Sequence, residues 1–191
     1  MIRPRFAILL ILVLLTPIYS IGSEYIGQES RKIKSLSEQD IEDIKLGRGW
    51  GLARPAELNG LPGPLHLLEL KDALILKDDQ IKKIEELYAS MNSSARIIGQ
   101  RYIEEERHIE FLLSQPETNE EELSIAVLSA AKTLAKLRLT HLKAHLATPA
   151  LLTKSQLEQY QVLRGYTERE QCTNIPSGHD PDMWRLHNNC D

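Results

Sequence analysis

The sequence predicts an all-α protein: a long antiparallel helical hairpin with short flanking helices and an irregular C-terminal tail. Three observations carry that reading. Apolar residues between positions 79 and 147 recur at helical spacing, Ile81, Tyr88, Ala95, Tyr102 and Ile109 on one row and Ile84, Met91, Ile98 and Leu112 on the other, interrupted at Glu105. No stretch beyond residue 22 alternates with period two over a useful length, and β-branched runs are absent. Only about six residues around Pro116 separate the two long helical patterns, which places them side by side and head to tail.

The elements follow in order. Residues 1–22 read as a secretory signal peptide: Arg3 and Arg5 precede an apolar block from Phe6 to Leu15, and Ser20 and Gly22 supply small residues for cleavage. That block is shorter than the roughly 20 residues a membrane-spanning helix needs, so no stable membrane insertion is expected once it is removed. Residues 23–63 form a short helix and a Gly/Pro-rich connector. Ser37 caps the helix from Glu38 to Leu46, with Asp40 as the reciprocal acid and Gly47 as the stop. The connector GRGWGLARPAELNGLPGP has no preceding strand and neither phosphate-loop motif, which excludes nucleotide binding; Ala53 to Leu58 makes one helical turn, ended by Asn59-Gly60.

Residues 64–166 are the helical-hairpin domain. A short helix runs from Leu65 to Leu74 after Pro64, and the first long helix from Asp79 to Leu113, roughly 50 Å. Pro116 ends it, and Thr118 with Glu121 caps a second helix from about Glu120 to Ala147 whose seam is Leu123, Val127, Ala130, Leu134 and Leu137. Pro149 closes that helix. A last one begins after Thr153 and reaches Arg164, with Gly165 as its cap. Residues 167–191 are a cysteine-containing tail with little periodicity.

Composition narrows the function. Loss of the leader shifts the formal charge from −4 to about −6, an acidic balance unsuited to nucleic acid, which demands a cationic surface. Cys172 and Cys190 read first as a disulfide of an exported protein, worth roughly 3 kcal/mol for a loop of that length; a metal site with His179 and His187 and a pair of free thiols stay open beside it. Neither a nucleophile elbow nor HExxH occurs, and Glu105-x-x-His108 is a single copy where a di-iron bundle needs several, so no enzyme is expected.

The most suggestive chemistry is Thr140-His141-Leu142-Lys143-Ala144-His145-Leu146. Two imidazoles one turn apart share a helix face, and the hairpin brings His66 to the same open end, with Glu69, Glu85 and Glu86 as nearby carboxylates. Three histidines and a carboxylate suit Zn, Ni, Co or Cu. Packing and surface roles, or a pH-dependent histidine–carboxylate latch, are the other two readings.

Leu152-Thr153-Lys154-Ser155-Gln156 opens the last helix, with Thr153 capping and Gln156 reaching back from the third position; Leu76-Lys77-Asp78-Asp79-Gln80 opens the first long helix in the same Leu…Gln frame. With the leader and the hairpin, these motifs resemble the LTxxQ-motif family of periplasmic proteins, which includes the Spy/CpxP-like stress chaperones and related heavy-metal sensors. The second motif, Leu152, Thr153 and Gln156, fits; the first keeps Leu76 and Gln80 and departs at Lys77. The resemblance implies a non-catalytic periplasmic protein, often a homodimer, that binds unfolded protein clients or a membrane sensor partner. Its metal-sensing branch implies a transition-metal ligand instead.

Overall fold

The computed structural model describes residues 25–167, 170–173, 175–188 and 190; the leader read at residues 1–22 lies outside them. Two compact units divide the chain, residues 1–30 and 31–191. Of the first, residues 25–30 form a turn closed by the Gln28 N–H on the Tyr25 carbonyl and the Ser30 hydroxyl on Gly27.

The second unit is all-α among the described residues, with helices α1 Glu38–Lys45, α2 Arg54–Leu58, α3 Pro64–Glu69, α4 Asp78–Leu113, α5 Glu120–Ala147, a 3-10 turn Thr148–Leu151, α6 Lys154–Leu163, α7 Glu170–Thr173 and α8 Pro181–His187. Residues 31–63, read above as a separate segment, belong to the same compact unit as the long helices, because Ile33, Leu36 and Ile44 are core residues packed with Ala95, Tyr102, Ile103, Ala130 and Leu137. A second cluster, Leu67, Leu74, Leu76, Ile84 and Tyr160, ties α3 and α6 to the start of α4. Fully burying a side chain such as Ile84 or Leu67 contributes about 1.5–3 kcal/mol, which is why these short helices fold onto the long ones rather than stay in water.

The local signals act as the residues dictate. Ser37 and Asp40 make a reciprocal cap on α1. Gly47 follows with φ +66, and a Cβ there would stand 2.7 Å from the Asn92 amide that bonds the Leu46 carbonyl, so α1 can end against α4 only at a glycine. Gly99 lets α1 approach more closely still: its Cβ would lie 2.6 Å from the Ile44 side chain. Glu105, the interruption in the seam, is a polar crossing between the long helices; Ser129 and Arg101 donate to it at 2.9 and 3.0 Å. Burial works to raise this carboxyl, and the hydrogen bonds it accepts outweigh that and leave it below its ordinary range.

Four local expectations change. Asn119, not Thr118, caps α5 by accepting from the Glu121 N–H at 2.8 Å, while the Thr118 hydroxyl turns back to the Leu112 carbonyl at the end of α4. Val127 is exposed and Ala126 buried, because the packed face of α5 is dominated by the small residues Ala126, Ala130, Thr133 and Ala144, with Leu137 among them, which permits close approach to α4. The helix expected from Leu65 to Leu74 stops at Glu69; the chain then turns so that Leu74 and Leu76 enter the second cluster, with Ile75 at φ +50 between them. The tail contains α7 and α8, the latter capped by Asp180, whose carboxylate accepts from the Asp182 and Met183 N–H groups ahead of Pro181. Cys172 and Cys190 are joined in a disulfide, Cα atoms 5.6 Å apart, compatible with an oxidising compartment. Among the described residues no helix is long and apolar enough to cross a membrane.

Candidate functional site

Two surfaces of the second unit hold unusual chemistry: a polar knot where α2 and α6 meet the end of α5, and the outer face of α5 itself.

The knot centres on Glu57, the only acid of α2, which is 7 % exposed. The Gly63 N–H donates to its Oε2 at 3.1 Å; the Tyr160 hydroxyl donates to Oε1, and the Tyr166 hydroxyl does so at 3.2 Å. Arg164 lies beside Oε1 at 3.3 Å, and His145 Nδ1 is 3.7 Å from Oε2. A buried carboxylate is tolerated only with this many partners. Burial pushes the Tyr160 hydroxyl pKa up, and its bond to Glu57 pushes it further, so Tyr160 stays a donor at all ordinary pH values.

His145 Nδ1 sits 2.8 Å from the Leu61 carbonyl, an acceptor only, so that nitrogen is the donor of the pair. His66 Nδ1 is likewise taken, by Glu69 at 2.9 Å. Both rings border Gly63: a Cβ there would be 3.0 Å from His145 Nε2 and 3.4 Å from His66 Cδ2. They line one open cleft of about 360 Å³, together with Arg54, Glu57, Arg164 and Tyr166. His66 and His145, two of the three histidines read from the sequence as one cluster, thus border the same cleft.

His141 is different. It is 2 % exposed within the packed face of α5, its Nε2 has no hydrogen-bond partner, and burial, with the nearby His145, lowers its pKa. Glu85 and Glu86 are exposed residues of α4, and of the carboxylates named with the histidines only Glu69 pairs with one of them. Among the described residues no group of three or more His, Cys, Asp and Glu side chains is arranged to hold a metal ion. Glu57, Tyr160, Arg164 and Tyr166 escaped sequence reasoning. The available signal was a lone carboxylate at Glu57 in the Pro/Gly-rich connector from Ala53 to Leu61.

The two Leu…Gln frames meet. The Gln80 amide donates to Gln156 Oε1 at 2.9 Å and the Gln156 amide to Gln80 Oε1 at 3.1 Å, while each glutamine oxygen also accepts the backbone N–H of its own helix cap, Lys77 at 3.0 Å and Thr153 at 2.9 Å. Gln80 also donates to the Leu151 carbonyl at 2.7 Å. Thr153 completes its cap by accepting from the Gln156 N–H at 3.2 Å. Lys77 cannot, because an ammonium has no acceptor, so the cap of α4 is half made. Leu76 is buried beneath the clasp and Leu152 packs against the same cluster.

The outer face of α5 carries exposed apolar side chains on either side of Lys132. Ile125, Leu128, Leu139 and Leu146 are 63, 67, 48 and 68 % exposed, and the alanines at 131 and 135 continue the strip. On α4 the corresponding outer surface is Lys, Glu, Ser and Arg, with Ile97 its one large apolar residue between positions 82 and 101. Scattered exposed leucines are ordinary; several aligned along one side of a helix, as here around Lys132, mark a contact surface.

Compared with family models, with curated proteins and with solved structures, the chain finds no match in any of the three.

Proposed function

We propose that this chain is an exported, non-catalytic helical protein of the periplasm that engages apolar segments of other polypeptides through the outer face of α5. The single observation that carries the reading is the set of exposed Ile125, Leu128, Leu139 and Leu146 on the side of α5 opposite the one that fills the core, with Lys132 between them. Support comes also from the disulfide, suited to an oxidising compartment, and from the Leu…Gln frames at Leu76/Gln80 and Leu152/Gln156, whose likeness to the LTxxQ-motif family motivates the assignment. In this reading α4 and α5 are an antiparallel hairpin, consistent with the six-residue link between them and with Glu105 lying against Ser129. The clasp and the Glu57 knot brace it, and α5 presents its free side to an unfolded client or a membrane sensor partner.

The test is aggregation of a chemically denatured client followed by light scattering. Suppression at near-stoichiometric amounts is expected from the native protein. Equal aggregation with and without it would remove the reading.

A second reading has its own observation. His66 and His145 have their Nδ1 atoms fixed by a carboxylate and a carbonyl, the arrangement that orients metal-bound imidazoles, and both border Gly63. Zn, Ni, Co or Cu would bind through the two Nε2 atoms, solvent completing the shell. Calorimetric titration with each metal tests it; unchanged affinity after His66→Ala with His145→Ala would dismiss those ligands.

A further inference from the structure

The exposed side of α5 resolves into a line and two margins. At about 100° per residue, Leu128, Leu139 and Leu146 fall within roughly 20° of one another, opposite the core-facing Ala130, Leu137 and Ala144. Lys136 and Lys143 stand roughly 50–75° to one side of that line, and Arg138 roughly 85° to the other. Lys132 lies closer in, roughly 35° off the line. All four cations are exposed. Arg54 of α2 extends the Arg138 margin, the two bordering one cleft with Trp50 and Leu134.

The chain supplies these cations with no counter-charge. From Leu123 to Ala147, α5 holds Lys132, Lys136, Arg138 and Lys143 and not one acid, although the formal net charge of the whole chain is −4. None of them is ion-paired among the described residues, whereas on α4 Lys83, Arg101 and Arg107 each meet a carboxylate of their own helix. An apolar polypeptide segment lying along the leucines would cover the line and leave the margins in water. A flat anionic surface meets line and margins together. Leucines then sink into the boundary between headgroups and acyl chains, while the stems of lysine and arginine reach from either side to the phosphates.

We infer that α5 also docks on the surface of an anionic lipid bilayer, lying in the headgroup plane through Leu128, Leu139 and Leu146 with Lys132, Lys136, Arg138 and Lys143 on lipid phosphates. This goes beyond the polypeptide reading and does not depend on it. The contact is with the surface alone, since no helix among the described residues is long and apolar enough to cross. Glu120, Glu121 and Glu122 set its limit: the headgroups repel that acidic first turn, so the seated stretch begins beyond it. Each cation near such a surface strengthens binding about fivefold, and salt weakens that contribution. Lipid and polypeptide compete for the same leucines.

Co-flotation of the mature protein with vesicles is the test, using phosphatidylglycerol mixed into phosphatidylcholine and, separately, phosphatidylcholine alone. The native protein should rise with the mixed vesicles at low salt, be released at high salt, and stay behind with phosphatidylcholine. Lys136→Gln with Lys143→Gln should weaken partition about 25-fold. Lys82→Gln with Arg96→Gln, which removes two exposed cations of α4, should leave it unchanged. Urea midpoints of both double variants should match the native protein, all four side chains being exposed. Failure to float with the mixed vesicles overturns the inference, as does equal flotation with phosphatidylcholine alone or an equal loss from the α4 pair. A protein that floats but protects no denatured client upholds the inference and removes the polypeptide reading; one that protects a client and does not float overturns the inference and leaves that reading standing.

Discussion

The Glu57 knot and the outer face of α5 lie on the same unit and solve opposite problems. In the knot a buried carboxylate is met by a backbone N–H, two tyrosine hydroxyls, an arginine and a histidine, all supplied by this chain. On α5 Leu128, Leu139 and Leu146 stand largely exposed among the described residues. Folding has therefore completed the first region and left the second unfinished. The difference separates two kinds of residue: those whose loss should lower stability while leaving association intact, and those whose loss should abolish association while leaving stability intact.

The largest effect is expected on the unfinished face. Leu128→Glu with Leu139→Glu should eliminate client protection, while the urea midpoint moves little because both side chains are largely exposed. Ile97→Glu on α4 is the matched control and should leave association unchanged. A double variant that binds as well as the native protein would erase the contrast.

Next comes the knot. Glu57→Gln keeps the shape but removes the charge opposite Arg164 and forces an amide N–H₂ toward groups that donate, so unfolding in urea should register a loss of about 2–3 kcal/mol, with α5-dependent association preserved. A shift below about 0.5 kcal/mol would mean the carboxylate is not what holds α2 to α6.

A smaller gain is expected at the clasp. Lys77→Thr supplies the missing acceptor to the first turn of α4 and should stabilise by about 1 kcal/mol, again without touching association. Thermal unfolding reads it; no increase would imply that Gln80 alone already suffices.

The smallest effect concerns His141. Burial holds its pKa below the ordinary value in the folded chain, so between that lowered value and about 6.5 the unfolded chain binds more protons. Its contribution is full above about pH 6.5 and is lost as pH falls through that window. His141→Leu, which also removes an unpartnered ring nitrogen, should flatten the decline in urea midpoint between pH 7.5 and 5.5. An unchanged decline would place the pH sensitivity elsewhere.

How much of this could be read from the residues depends on distance along the chain. The helices on either side of Pro116, the caps at Ser37 and Thr153 and the stop at Gly165 are decided by neighbours within a turn, and they were legible. The inward face of α5 was legible at Ala130, Leu134 and Leu137 but not at its margin: Val127 is more apolar than Ala126, yet close approach to α4 selects the small residue, and a periodicity count cannot see that preference. The same limit explains the site. His66 and His145 could be brought to one end by counting turns, whereas Glu57 is joined to Tyr160 and Arg164 only through contacts a hundred residues apart. The outer leucines were in plain sight, but only the packing of the opposite side into the core reveals that they are left over.

Hydroxyl-radical footprinting of the native protein tests the central claim most directly, because it reads both helices in one sample. On addition of a denatured client, oxidation of Leu128, Leu139 and Leu146 should fall several-fold while that of Ile97 on α4 holds constant. If the α5 leucines stay as reactive as Ile97 with every client, the face is covered by nothing and the account fails.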